Sequence, residues 1–159
     1  MICEEYCKFV SSNYGKTHII FDGYNMGPST KDSTHTRRTK GKAGMKICFN
    51  ENLPFSSKKD TFLTNADNKH NFIKLLGEHL SGIGCNVSNA DGDADLLIVK
   101  TAVQLSDETP TTVIGEDTDL VVLLCHHANM NKYNIYFKSD SGFKKKKIWD
   151  ITATKCSWK

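Results

Sequence analysis

Residues Val113 to Leu124 read Val-Ile-Gly-Glu-Asp-Thr-Asp-Leu-Val-Val-Leu-Leu, which is an apolar run, three acids and a second apolar run. The first run predicts a buried strand and the second predicts the core face of a helix. Asp117 and Asp119 then follow the carboxyl end of a strand, where open α/β sheets bind ligands. Two carboxylates about 4 Å apart repel each other by roughly 4 kcal/mol at an effective dielectric of about 20, and a cation between them relieves that repulsion. The alternative is that Asp117 caps the helix beginning near Thr118 while Asp119 points into water.

Composition and charge set the class of protein. The chain has 159 residues, 38% of them apolar and 25% charged, which fits one domain with one core. A net charge of +3 permits a polyanionic partner without indicating one. The signs are segregated, because Lys and Arg crowd residues 31–46 and 144–147 while Asp residues bunch at 91–95 and 117–119.

The sequence also bounds location and cysteine chemistry. No signal peptide is recognisable and no apolar run approaches the roughly 20 residues of a membrane span, so we expect an intracellular protein, nuclear or cytoplasmic, with no membrane partner. The sequence gives no indication of the oligomeric state. We expect reduced, mostly buried thiols, because a zinc site built from Cys3, Cys7 and the His126-His127 pair fits no common spacing. The cysteines are Cys3, Cys7, Cys48, Cys85, Cys125 and Cys156.

Helical and strand patterns alternate along the chain. Helices are predicted at residues 2–13, 34–40, from 54, 66–80, 96–105 and from 118. Strands are predicted at residues 17–21, 45–49, 85–88, from 113, 133–137 and, as an edge strand, 147–151. Such alternation implies right-handed crossovers and a mostly parallel central sheet covered on both faces. The predicted fold class is therefore α/β, a three-layer α/β/α arrangement in one domain over residues 1–159.

Acidic residues from three segments are predicted to meet at one edge of this sheet. Asp22 ends the first strand, Asp93 and Asp95 open the helix after a later strand, and Asp117 and Asp119 follow another strand. Each has a local alternative, since Asp22 suits an Asx-turn and acids at a helix start answer the helix dipole. Five carboxylates on one rim favour hard divalent ions, and the chemistry that uses them is metal-assisted phosphodiester cleavage.

These segments resemble a known superfamily. Ile19-Ile20-Phe21-Asp22-Gly23-Tyr24, Gly92-Asp93-Ala94-Asp95 and Gly115-Glu116-Asp117-Thr118-Asp119-Leu120 are similar, in that order, to the motifs of the PIN-like and flap-endonuclease (5′-nuclease) superfamily. The Asp22-Gly23-Tyr24-Asn25 string is similar to the NYN branch of PIN-like ribonucleases. The run from Phe21 to Arg38 resembles uncharacterised, often transposon-associated eukaryotic members.

The resemblance implies a parallel sheet sandwiched by helices, with two Mg²⁺ or Mn²⁺ ions at its carboxyl edge and DNA or RNA as the substrate. Such nucleases usually carry a further Gly-x-Asp segment after the next strand, and Lys159 is reached before one occurs. Asp140 and Asp150 stand in contexts that do not match it. We therefore expect either a domain truncated before its last acidic motif or a second metal ion that binds weakly. The alternative function is a catalytically weak or inactive nucleic-acid-binding or interaction module.

Basic and aromatic residues after the first acid are the predicted substrate contacts. Lys31, Arg37 and Arg38 are expected to bind phosphates, and the resemblance supports a catalytic role for Arg37 or Arg38 in stabilising charge on the phosphate. Tyr24 is a candidate for stacking on a base, and Asn25 for orienting a metal-bound water. The alternative is a solvated charged face and ordinary loop packing.

Other phosphate chemistries fit the sequence less well. A phosphatase of the haloacid-dehalogenase type needs a second Asp two places after Asp22, where Tyr24 stands. A topoisomerase-primase site needs a Glu on a separate strand, and the sequence offers no convincing one.

Overall fold

The computed structural model describes residues 2–23, 44–48, 58–140 and 147–157. The chain divides into two compact units, residues 1–92 and residues 93–159, and each is described by itself. Both units combine helices with a small sheet, so the chain is a mixed α/β protein, as predicted at that level. None of the helices in the described ranges is both long and apolar enough to cross a membrane.

Within residues 2–23, 44–48 and 58–92, the first unit packs three helices and a parallel two-stranded sheet. In this sheet His18 lies opposite Asn86 and Phe21 lies opposite Asn89. The two longer helices and both strands agree with the sequence-based boundaries to within two residues. The elements are α1 (Ile2–Tyr14), β1 (His18–Phe21), α2 (Lys59–Leu63), α3 (Ala66–Gly82) and β2 (Asn86–Asn89).

The core of the first unit lies between α1, α3 and the strands. Leu76 and Leu80 of α3 pack there with Cys3, Cys7 and Cys85. Burial raises the pKa of the Cys7 thiol, which therefore packs as a neutral apolar group. The expectation of buried thiols is confirmed for these three and for Cys125, whereas Cys48 and Cys156 are exposed.

The predicted strand at residues 45–49 is wrong for residues 45–48, which have no regular secondary structure, and residue 49 lies outside the described residues. The side chain of Asn68, buried at the start of α3, makes hydrogen bonds to this segment in place of those that a neighbouring strand would make. Its Oδ1 accepts a hydrogen bond from the Ile47 amide at 2.8 Å, and its Nδ2 donates to the Met45 carbonyl at 2.9 Å and the Phe62 carbonyl at 3.2 Å. Side chains of Asn65 and Thr64 bind Gly44 in the same way.

In its described residues, 93–140 and 147–157, the second unit has a three-stranded sheet and three helices. The first two strands pair in parallel and the last two are antiparallel, with Phe137 opposite Trp149. Val113 is buried in the first of these strands, as its apolar context predicts. The elements are α4 (Asp95–Leu105), β3 (Thr111–Ile114), α5 (Thr118–His127), β4 (Ile135–Lys138), β5 (Ile148–Asp150) and α6 (Ile151–Ser157).

The core of the second unit includes Leu124, Ile135, Phe137 and Ile151, each at most 1% exposed. Lys155 of α6 closes the end of α5, because its Nζ donates to the His126 carbonyl at 2.9 Å and the Ala128 carbonyl at 2.6 Å. The positive charge of Lys155 also interacts favourably with the negative end of the helix dipole.

The strands of the described residues form two hydrogen-bonded sheets, ordered β1-β2 and β3-β4-β5. The predicted parallel pairing is present in each sheet, and β5 is the predicted edge strand, although it ends at Asp150 where α6 begins. The helix predicted at residues 34–40 lies outside the described residues, as do residues 54–57 of the region predicted to be helical from Pro54.

The Asn68 contacts predict a measurable stability loss. Asn68→Ala leaves the part-buried backbone groups of Met45 and Ile47 and the buried Phe62 carbonyl without their side-chain partner, so we expect the unfolding free energy to fall by about 1–3 kcal/mol. Urea unfolding followed by circular dichroism measures this change. Asn71→Ala, at an exposed position of the same helix, is the control for helix propensity. Equal shifts for the two variants would contradict the assigned role of Asn68.

Candidate functional site

The first acid lies where β1 and β2 leave their sheet. The Ala90 amide donates to the Phe21 carbonyl at 3.0 Å, and the Gly23 amide donates to the Gly92 carbonyl at 2.9 Å. These two bonds hold the chain on either side of Asp22 against the segment that contains Asp91. Because the strands are parallel, both exposed carboxylates lie at the carboxyl end of this sheet.

Gly23 is required by the closeness of these two segments. A Cβ atom built at Gly23 overlaps the Ala90 carbonyl oxygen and also crowds the Gly92 amide nitrogen. These are backbone atoms, which cannot rotate away as a flexible side chain does. The glycine after Asp22 therefore has a packing explanation that is independent of any catalytic role.

A lysine of α3 lies near the first acid. Burial lowers the pKa of the Lys69 ammonium group, while the negative charge of Asp22 raises it against that effect. The positive charge of Lys69, in the same unit, partly compensates the negative charge of Asp22.

A groove of about 760 Å³ lies beside Asp22, between α3 and the ends of the two strands. Its lining combines apolar and small residues with charged and hydrogen-bonding residues. The lining residues are Asp22, Gly23, His70, Ile73, Lys74, Gly77, Glu78, Ser81, Val87, Asn89, Ala90 and Asp91. All of them belong to the first unit.

Asp93 and Asp95 lie at the start of α4, as the sequence predicts. The Asp93 Oδ1 accepts a hydrogen bond from the Asp95 amide at 3.2 Å, and Asp95 lies in the first helical turn. An acid in that turn is stabilised by the helix dipole. The pair thus has the local role that the sequence analysis gave as the alternative to metal binding.

Asp117 and Asp119 repeat this arrangement at the start of α5. Asp117 is the N-cap, and its Oδ1 accepts from the Asp119 amide at 2.9 Å. The capping alternative for Asp117 is therefore confirmed. This bond involves one of the two carboxylate oxygens, and both side chains are exposed, so capping and metal binding are chemically compatible.

The predicted site residues are divided between the two units. Asp22 belongs to the first unit, whereas Asp93, Asp95, Asp117 and Asp119 belong to the second. Within the ranges that the structure describes, no three His, Cys, Asp or Glu side chains are grouped closely enough to hold one metal ion. The predicted substrate contacts, Tyr24, Asn25, Lys31, Arg37 and Arg38, lie outside the described residues.

Sequence reasoning missed the polar stripe of α3. His70, Lys74 and Glu78 recur every four residues and line the groove beside Asp22. The signal was visible as i, i+4 spacing in a helix whose apolar face had been identified. Their relevance depends on α3 lying beside the end of β1, which a local pattern does not reveal.

Comparisons with protein-family models, with curated proteins and with solved structures found no match to the chain. The resemblance to PIN-like nucleases therefore still rests on the sequence motifs alone.

Two glycine variants test the packing at the end of β1. Gly23→Ala forces the backbones at Gly23 and Ala90 apart, so we expect a loss of roughly 1–3 kcal/mol in unfolding free energy. Gly92→Ala is the matched control, because its Cβ would meet no atom within 4 Å. Thermal and urea unfolding measure both, and comparable destabilisation of the two variants would refute the packing argument.

Two substitutions at Asp117 separate its cap from its charge. Asp117→Ala removes the hydrogen bond to the Asp119 amide, and we expect a loss of about 1 kcal/mol in stability. Asp117→Asn retains an accepting oxygen and ranks equally as an N-cap, so its unfolding midpoint should stay near that of the wild type. If Asn were as destabilising as Ala, charge rather than capping would be the structural role.

Proposed function

We propose that this protein is a divalent-metal-dependent nuclease that hydrolyses DNA or RNA phosphodiester bonds with two Mg²⁺ or Mn²⁺ ions. The observation that carries the proposal is the placement of acids after parallel strands, Asp22 directly after β1 and Asp117 three residues after β3. Together with Asp93 and Asp95 these acids stand in the order of the PIN-like superfamily. We include in the proposal the three-layer α/β/α arrangement of that superfamily.

The donor set fits the proposed ions. Asp22, Asp93, Asp117 and Asp119 are exposed, Asp95 is partly exposed, and all five present the oxygen ligands that hard divalent ions prefer. Bound ions would supply a nucleophilic water at neutral pH and a counter-charge for the leaving oxygen. No serine or cysteine nucleophile is then required.

The side chains have separate tasks in this proposal. The five aspartates hold the ions. Hydrogen bonds that backbone amides donate to Asp93 and Asp117 orient two of the carboxylates before any ion binds. Lys31, Arg37 and Arg38 hold the phosphates, with the guanidinium groups stabilising charge on the phosphate under attack. Tyr24 stacks on a base, and Asn25 orients a water.

A nucleic-acid-binding or interaction module without catalysis is the second candidate. The observation that favours it is the local use of the acids. Asp93 and Asp117 each accept a backbone hydrogen bond at a helix start, and Asp22 lies near Lys69, so the fold uses these charges without an ion. Calorimetry with Mn²⁺ separates the candidates when it is combined with a cleavage assay. Metal binding without turnover supports the module, and turnover refutes it.

Cleavage assays test the nuclease proposal. We expect Mg²⁺- or Mn²⁺-dependent cleavage of single-stranded, flapped or duplex substrates. Asp22→Asn and Asp117→Asn should each lower the rate by about 100-fold or more, because the metal contribution amounts to several kcal/mol. Glu108→Gln, an exposed carboxylate in the turn before β3, is the control and should cleave like the wild type.

The Asn variants remove one charge while keeping the side-chain shape. Unfolding midpoints near the wild-type value will therefore show that a lower cleavage rate is not caused by unfolding. Absence of cleavage on every substrate with either metal would overturn the proposal. Equal rates for wild type and both Asn variants would also overturn it, because the carboxylates would then play no part.

A further inference from the structure

The groove beside Asp22 has two distinguishable ends, because α3 and β2 run in opposite directions along it. Only three residues, 83–85, connect α3 to β2, and Gly77 lies against Val87, so helix and strand run in opposite directions. The start of α3 therefore lies beside the carboxyl end of β2, where Asp91 follows. The lining residues of α3, His70, Ile73, Lys74, Gly77, Glu78 and Ser81, recur at helical spacing along one face.

Charge changes along this groove. His70 and Lys74 lie toward the end that contains Asp22 and Asp91, and Lys69 lies near Asp22. Glu78 and Ser81 lie toward the opposite end of α3. Between the two ends the lining is apolar or small at Ile73, Gly77, Val87 and Ala90, and it also includes the polar Asn89. A ligand with a phosphate near Lys74, a flat middle and hydrogen-bond donors near Glu78 matches these groups.

We infer that the groove binds one unstacked nucleotide of a single strand, next to the phosphodiester that Asp22 serves. The phosphate lies toward Lys74, the base covers Gly77 and Val87, and the edge of the base donates to Glu78. This inference rests on the proposed function, because it assigns the substrate strand of the same site.

Size and pairing restrict the occupant to an unpaired nucleotide. A volume of about 760 Å³ lies within the range of about 300–1,000 Å³ usual for small-ligand sites. A base in a duplex already uses its donor groups in pairing, whereas a single strand offers them to side chains.

The carboxylate of Glu78 also sets a base preference. An ionised carboxylate only accepts hydrogen bonds, so it favours bases with an exocyclic amine. Cytosine has such a donor at N4, whereas thymine presents a carbonyl oxygen at the matching position. We therefore expect oligo(dC) to bind more tightly than oligo(dT) of the same length.

Binding measured with EDTA present tests the groove without cleavage. Fluorescence anisotropy with labelled oligo(dC) and oligo(dT) should show a preference for oligo(dC) of about 5-fold or more in the wild type. Glu78→Gln should remove this preference, and Glu5→Gln, an exposed position on α1, should retain it. Circular dichroism establishes that each variant is folded.

The lysine has a separate readout. Lys74→Gln should reduce the slope of log affinity against log salt by about 0.7, the value expected for one lost phosphate contact on a single strand. Lys8→Gln, an exposed lysine on α1, should leave that slope unchanged.

The outcomes separate the groove from the nuclease. Three results would each overturn the groove assignment. The first is a wild-type base preference in both Glu78→Gln and Glu5→Gln, and the second is an equal salt slope for the two lysine variants. The third is equal affinity for duplex and single strand. Binding that depends on Glu78 and Lys74 without cleavage by any metal form would retain the groove and refute the nuclease. If Glu78→Gln and Lys74→Gln both cleave and both bind like the wild type, the nuclease proposal is retained and the groove assignment is refuted.

Discussion

The hydrogen bond from the Gly23 amide to the Gly92 carbonyl fixes the geometry around the first acid. It ties the exit of β1 to the exit of β2, with the Ala90 carbonyl too close to Gly23 to admit a side chain. The position of Asp22 at the side of the groove follows from this backbone contact.

The two Asp-x-Asp segments serve folding in the structure and, in the proposed function, would also serve metal chemistry. In both segments the first Asp accepts the amide of the second, so the carboxylate is oriented by the helix it starts. Such orientation is established during folding and costs nothing when a cation binds. It also explains why acids at these positions are informative about helix boundaries whether or not a metal is bound.

The sequence predicted elements with strong periodicity and failed where a distant side chain decides the structure. The spacing of apolar residues predicted α3 to within two residues, and the apolar run before Asp117 predicted β3 and its buried Val113. Residues 45–48 were misjudged because Asn68, more than twenty positions away, binds their backbone. The groove was missed for the same reason, since no local pattern shows that α3 lies beside Asp22. The joining of the five acids at one edge remains a prediction, because they are divided between the two units.

The attachment of α6 to the end of α5 has a consequence for how the second unit resists proteases. Ile151 is fully buried, and Lys155 bonds to two carbonyls at the close of α5. A peptide bond within α6 can be cut only after this helix has detached and exposed apolar surface. Trypsin digestion at Lys155 should therefore report local opening of this segment, and a chain shortened to Asp150 should be degraded much faster.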